Sequence, residues 1–309
     1  MNQLLCGALE WLDVNRDRFD IFRIDPDPPP EEDQALGELA LLCRQLVLRR
    51  ACDQVDVEPL LAVLQSVESH QLFTHRLRRV NDALLPHVLV VSALQEAGLS
   101  SRVDIEVLQS MCDRSNALFA ERPPHRLLEL RRMLDSVGLR HRLPSYTTLA
   151  RMSNLGRDVD PIRLTNYDIY SITHTLFFLT DFGRLVPRGL TSARRRLACA
   201  TVHQLLGMQI HRGNYDMVGE LLLSAYCLDG VDSDFYVAGW ETLQAVQWRE
   251  GVVPGPNYRE EAHRTALKSG EEEGDSYVFG NCYHTTLVAA LVGALCPPPR
   301  GSDPSSDAS

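Results

Sequence analysis

The chain has 309 residues, a net charge of −10 and 44% hydrophobic residues. That composition supplies enough apolar material for a sizeable core, and its negative balance excludes a general nucleic-acid-binding role, which needs concentrated positive charge. No apolar run reaches the roughly 18 residues that a membrane span needs, so none is expected.

Residues 2–14 read as a short amphipathic helix, with Leu4, Leu5, Ala8, Leu9 and Leu12 on one stripe. This start carries Glu10 and Asp13 and no basic segment, so it is not a signal peptide. The acidic, Pro-rich stretch 25–33 cannot be helical across its prolines and is expected to be extended. Helical patterns follow at 34–51, 58–69, 81–97, 103–119 and 125–137, with Gly98 and Gly138 placed as stops. Residues 120–165 are the most arginine-rich part. They read either as a solvated helix face with loop arginines or as a docking surface for an acidic peptide or phosphate-bearing ligand.

In the second half, helices are expected at 168–181, 193–208, 215–228, 235–249 and 283–295, with a short one around 259–268. The acidic stretch 269–275 reads as a loop, and 297–309 as a disordered tail without large apolar groups. The apolar helices 168–181, 215–228 and 283–295 alternate with charge-bearing ones, as inner and outer helices do. The expectation is an all-α chain, an α/α toroid or an open helical solenoid of about ten to twelve helices. Residues 1–296 would form one helical domain, with a first half at 1–164 and the candidate site within 165–296.

The eight cysteines form no CxxC pair. They read as small buried hydrophobes of a cytoplasmic protein, not as a disulfide framework. The candidate chemistry centres on YDIYSITHTLFFLTDFG, residues 167–183. His174 and Asp181 lie two helical turns apart, which places them on one face, and Tyr170 shares it. Asp181 would then need a partner, or else it starts the following turn while His174 is a satisfied core residue.

Cys282 and His284 sit in FGNCYHTT, expected directly before an inner helix. A C-x-H pair there suits zinc, and a helix start would lower the thiol's pKa. The other reading is a buried cysteine beside a capping His-Thr segment. The candidate metal set is therefore His174, Asp181, Cys282 and His284, with zinc as the ion. Without a metal, His174 would act as general base with Asp181 and His284, supported by Tyr170 and Cys282. Asp216 reads as a first-turn acid. Glu220 reads as a buried carboxylate that could complete an acid/base or metal set, and His203 and His211 as structural. Phosphate-binding glycine loops and a GxSxG elbow are absent.

The stretches YSITHTLFFLTDFG and NCYHTTLVAALVGAL resemble an all-helical actinobacterial family met among peptide and other natural-product biosynthesis proteins. The resemblance covers mainly 165–296 and implies a tailoring or accessory role, without supplying catalytic residues. The inner/outer alternation is also similar in outline to the α/α-toroid enzymes, namely protein prenyltransferase β-subunits and lanthionine-forming cyclases, which hold zinc at the inner-helix mouth. The motifs depart from both. Cys282-Tyr283-His284 replaces the cyclases' adjacent Cys-His, and the prenyltransferase Asp-x-Cys is missing. The function expected is modification of a peptide or small-molecule natural product at the mouth of the inner helices. The alternative is a non-catalytic helical scaffold for a partner protein or leader peptide.

Overall fold

The computed structural model describes residues 2–23, 27–50, 55–79, 83–114, 118 and 120–299. The expected tail lies outside these residues from 300 onward, as do parts of the 25–33 connection and the ends of the helices expected at 81–97 and 103–119. The described residues form fourteen α-helices and no strand. In the first half these are α1 (Gln3–Val14), α2 (Pro30–Leu48), α3 (Glu58–Ser69), α4 (Gln71–Arg79), α5 (Leu84–Glu96), α6 (Ile105–Arg114) and α7 (Pro124–Ser136). The second half adds α8 (Tyr146–Met152), α9 (Asn166–Thr180), α10 (Ser192–Arg212), α11 (Tyr215–Cys227), α12 (Asp234–Val246), α13 (Glu260–Ser269) and α14 (Glu271–Leu295). The count exceeds ten to twelve because α4 and α8 are short helices outside the expected set.

Local chemistry sets most boundaries. Pro30 and Pro124 start α2 and α7 where a missing N–H costs nothing. Thr165 and Asp168 form a reciprocal capping box on α9, and Thr191, Asn214 and Ser233 cap α10, α11 and α12 with their side chains. The largest departure from expectation is α14. Residues 269–275 are not a loop: the helix begins at Glu271, with three acids in its first turn where the dipole favours them. FGNCYHTT therefore lies inside α14, not before it.

Six helices close a ring. α2 packs on α5, α5 on α7, α7 on α9, α9 on α11, α11 on α14, and α14 returns to α2. The others pack outside, with α1 and α13 on α14, α3 on α2 and α5, α8 on α7, and α10 and α12 on α11. This is the inner/outer alternation of a toroid, and ring helices α5, α9 and α11 are largely apolar, as enclosed helices are, whereas α7 carries Arg126, Glu129, Arg131, Arg132 and Asp135. Gly219 on α11 permits one close approach, since a Cβ there would fall 2.5 Å from Val288 Cγ1 on α14. Among the described residues α14 is also the one helix long and apolar enough to cross a membrane. Its apolar part packs against α1, α2 and α11 as a core helix of the ring.

The C-terminal ends of the ring helices meet at one end of the ring, which is closed by charge. Buried Arg44 of α2 donates to Ser92 Oγ of α5 at 3.0 Å and to Asp181 Oδ1, just past α9, at 3.0 Å. Ser92 in turn meets Ser136 of α7 at 2.8 Å. Arg132 of α7 donates to the carbonyls of Phe178 and Leu179, two acceptors that the end of α9 leaves free. Arg49 reaches the Phe182 carbonyl at 2.6 Å and the Tyr226 hydroxyl of α11 at 3.2 Å. The other end of the ring opens into a cavity.

Candidate functional site

The cavity has a volume of about 440 Å³ and takes its lining from all six ring helices. Its deeper wall is apolar: Leu41, Leu89 and Leu130 face Phe177, Phe178, Leu223, Leu287 and Leu291. Its mouth is ionisable, with Glu38 of α2, Arg126 and Glu129 of α7, Tyr170 and His174 of α9, Glu220 of α11 and His284 of α14. A small amphiphilic molecule fits such a chamber, with its apolar body inward and its polar group at the mouth.

His284 is the hub of the mouth. Its Nδ1 lies 2.8 Å from Glu38 Oε2, and its Nε2 lies 3.5 Å from Asp216 Oδ1 and 3.9 Å from Glu220 Oε1. The carboxylates are themselves held. Thr285 donates to Asp216 Oδ1 at 3.0 Å, Thr173 to Glu220 Oε2 at 2.5 Å, and Gln34 to Glu38 Oε1 at 2.8 Å. Asp216 and Glu220 are one helical turn apart on α11, so they present their oxygens to the same point.

Burial alone would lower the His284 pKa, but Glu38, Asp216 and Glu220 together hold it well above the usual imidazole value. Burial raises Glu220, with the Asp216 charge adding to it against His284 and Thr173. Burial would also raise Glu38, yet His284, Gln34 and Arg126 hold it below the usual carboxylate value.

His174 is the opposite case. Burial pushes its pKa well down, and Arg126, His125 and His284 push it further. Its Nδ1 faces the Tyr170 carbonyl at 3.1 Å. A carbonyl can only accept, so Nδ1 carries the proton and Nε2 keeps its lone pair. The ring stacks on Tyr170 at a centroid separation of 3.6 Å, and Arg126 sits over the other partner in that stack, 5.1 Å from the Tyr170 ring centre. Arg126 also pairs with Glu129 at 2.7 Å.

Of the five residues singled out from the sequence, the structure brings Tyr170, His174 and His284 to the cavity, and His174 feels the charge of His284 there. It takes Asp181 and Cys282 elsewhere, so His174, Asp181, Cys282 and His284 do not form one metal set. α9 ends at Thr180, and Asp181 is its left-handed cap (φ 47°), which turns the carboxylate off the face of His174. There Arg44 and Arg184 bind one oxygen each, at 3.0 and 2.9 Å. Cys282 is buried on another side of α14, near the Gly255 backbone. Burial raises its thiol pKa, and no helix start is near to lower it.

The arginines of 120–165 likewise do not share one face. Arg131 and Arg132 serve backbone carbonyls and stack on Tyr146, while Arg126 lines the cavity. His203 is held by the Gly230 carbonyl at 2.7 Å.

Sequence reasoning missed Glu38, Arg126 and Glu129 as site residues. Glu38 did leave a trace, as the one acid in the otherwise apolar run ALGELALLC. Among the described residues, Asp216, Glu220 and His284 are the cluster whose donor atoms all lie close enough, within 4.8 Å of one another, to hold a metal ion. No curated protein and no solved structure is significantly similar to the chain. One family matches residues 5–294, nearly its whole length, and the chain belongs to that family, described as "Domain of unknown function (DUF6895)".

Proposed function

We propose that this protein is an enzyme that modifies a small, largely apolar molecule held in the ring cavity. A tailoring step on a peptide side chain or small natural product is the class of reaction that suits it. The observation that carries this reading is the placement of His174. Its Nδ1–H is committed to the Tyr170 carbonyl, so a neutral Nε2 is left at a mouth that Glu220 and His284 share. A neutral imidazole with a fixed tautomer beside a polar anchor can accept a proton from a bound substrate, and its lowered pKa matches it to a substrate group whose own proton is acidic. The apolar wall excludes water and orients the rest of the molecule. Tyr170 and Arg126 are positioning residues, since they hold the imidazole by stacking and close one side of the mouth.

The scaffold alternative draws less support, because Arg131 and Arg132, two of the arginines that would form its docking face, are engaged within the chain. A cytoplasmic setting belongs to the same proposal and is supported by the free thiols buried among apolar side chains, such as Cys43 and Cys227.

The test is to incubate purified protein with fractionated small-molecule extract and follow compound loss by mass spectrometry. Turnover by the wild type and none by a folded His174→Gln variant is expected. Equal turnover by both would remove the assignment.

A further inference from the structure

We infer that Asp216, Glu220 and His284 form a binding site for one first-row divalent metal ion of the zinc or manganese class. Three independent features of the mouth converge on it.

The first is spacing. His284 Nε2 stands 3.5 Å from Asp216 Oδ1 and 3.9 Å from Glu220 Oε1, too far for good hydrogen bonds. Donors bound at about 2.0–2.2 Å around one tetrahedral ion lie roughly 3.4 Å apart. The three donors, all within 4.8 Å of one another, are therefore arranged around a shared point more than bonded to each other, and the two distances from His284 already approach the spacing of a bound set.

The second is charge. Glu38, Asp216 and Glu220 surround a single imidazole, and Glu220 is only 2% exposed. No arginine or lysine ion pair reaches Asp216 or Glu220 among the described residues. Among the described residues one imidazole is the single cationic partner that pairs with these three carboxylates, so the cluster is short of positive charge, and a divalent ion would supply it. Asp181 at the other end of the ring is the control within the molecule, because Arg44 and Arg184 already neutralise it.

The third is the outer layer. Metal-bound histidines commonly give their second ring nitrogen to a carboxylate, and bound carboxylates are themselves hydrogen-bonded. Glu38 holds Nδ1 of His284 and so directs Nε2 at the two acids, while Thr285 and Thr173 donate to Asp216 and Glu220. Each proposed ligand thus has its own support. Both His284 and Glu220 also line the cavity, so the open side of the ion would face the bound molecule. One nitrogen and two oxygens suit zinc, manganese or ferrous iron better than an all-oxygen cation.

This inference deepens the enzymatic reading and uses the same cavity, but binding is read without turnover. The full chain is freed of metal with a chelator and titrated calorimetrically with Zn²⁺ and with Mn²⁺. One equivalent per chain is expected. Affinity should fall at least 100-fold in Glu220→Gln and His284→Ala, and roughly 10–100-fold in the outer-layer variant Glu38→Gln. Glu260→Gln, on the surface, should bind as the wild type does.

Absence of stoichiometric binding of either ion overturns the inference, as does binding unchanged in Glu220→Gln and His284→Ala. Pulsed electron paramagnetic resonance of the Mn²⁺-loaded wild type gives an answer even where a variant fails to fold, because histidine nitrogen coupling is expected and its absence overturns the site. Failure here leaves the His174 turnover test standing, and the reverse also holds.

Discussion

Both ends of the ring bury charge, and they do it differently. At the closed end Asp181 meets Arg44 and Arg184, each a bonded partner, and Arg44 also satisfies Ser92. At the mouth, His284 is bonded to Glu38 at 2.8 Å and faces Asp216 and Glu220 across gaps of 3.5 and 3.9 Å, beside an open chamber. The closed end looks built for stability: five of the six ring helices are tied there through Arg44, Ser92, Ser136, Asp181 and Tyr226. The mouth keeps donors in reserve, which folding alone does not call for. Sites held ready for a ligand commonly cost stability in this way, and the rest of the fold offsets it.

The contrast is broken most directly at Arg44. Replacing it with leucine leaves the Asp181 carboxylate, 1% exposed, with Arg184 alone as its bonded ion-pair partner, and leaves Ser92 without its donor. Removing one partner of a buried pair typically costs about 3–5 kcal/mol. Arg44→Leu should lower unfolding free energy by that amount in urea titrations. A loss below about 1 kcal/mol would mean that the closed end is not the clamp described here.

A third buried group sharpens the comparison, because it has neither a charge partner nor a cavity. His87 of α5 is fully buried against Phe73, and its ring nitrogens lack a well-formed hydrogen bond. Burial lowers its pKa to about 3, with Arg76 adding to the effect and the Ala83 carbonyl opposing it. The unfolded chain therefore takes up a proton that the folded chain refuses. Stability falls as pH drops below the ordinary histidine value of about 6.5 and continues to fall toward the folded value. By pH 5 the loss is roughly 2 kcal/mol, from about 1.5 pH intervals of linkage. Urea titrations at pH 7 and pH 5 should show that much less pH dependence in His87→Leu than in the wild type. Identical dependence in both would place the acid sensitivity elsewhere.

The inner and outer helices were legible in the sequence where periodicity is strong, while closure into a ring was not, since a toroid and an open solenoid share that alternation. The alternation of apolar and charge-bearing helices over residues 168–295 follows from burial on all sides against burial on one. Helix α8 left little trace, because seven residues give too few turns for a pattern to emerge, while α4 is amphipathic but only nine residues long and dominated by polar and charged side chains. The start of α14 was hidden by the acidic, glycine-containing stretch 269–275, which read as a loop although Glu271 onward lies within a helix that α13 supports. The site was legible in types more than in partners. Seven-residue spacing put Asp181 on the face of His174, but the left-handed cap begins at Asp181 itself, and one dihedral redirects it to Arg44. Glu38 lies 246 positions from His284, and only ring closure between α2 and α14 joins them.

The smallest effect is also the most discriminating, because the same chemical change is made at both ends. Asp181→Asn removes the nearer and more deeply buried of the two carboxylates paired with Arg44, Glu96 being the other, and should cost at least about 2 kcal/mol. Glu220→Gln keeps the shape and an oxygen for the Thr173 hydroxyl, and it removes a carboxylate whose pKa burial already raises. Its stability, measured without metal, should stay within about 1 kcal/mol of the wild type. If Glu220→Gln cost as much as Asp181→Asn, the mouth would be a second structural clamp, and its open geometry would lose its functional meaning. Near-neutral stability would instead separate an end that holds the ring together from an end that the ring exists to present.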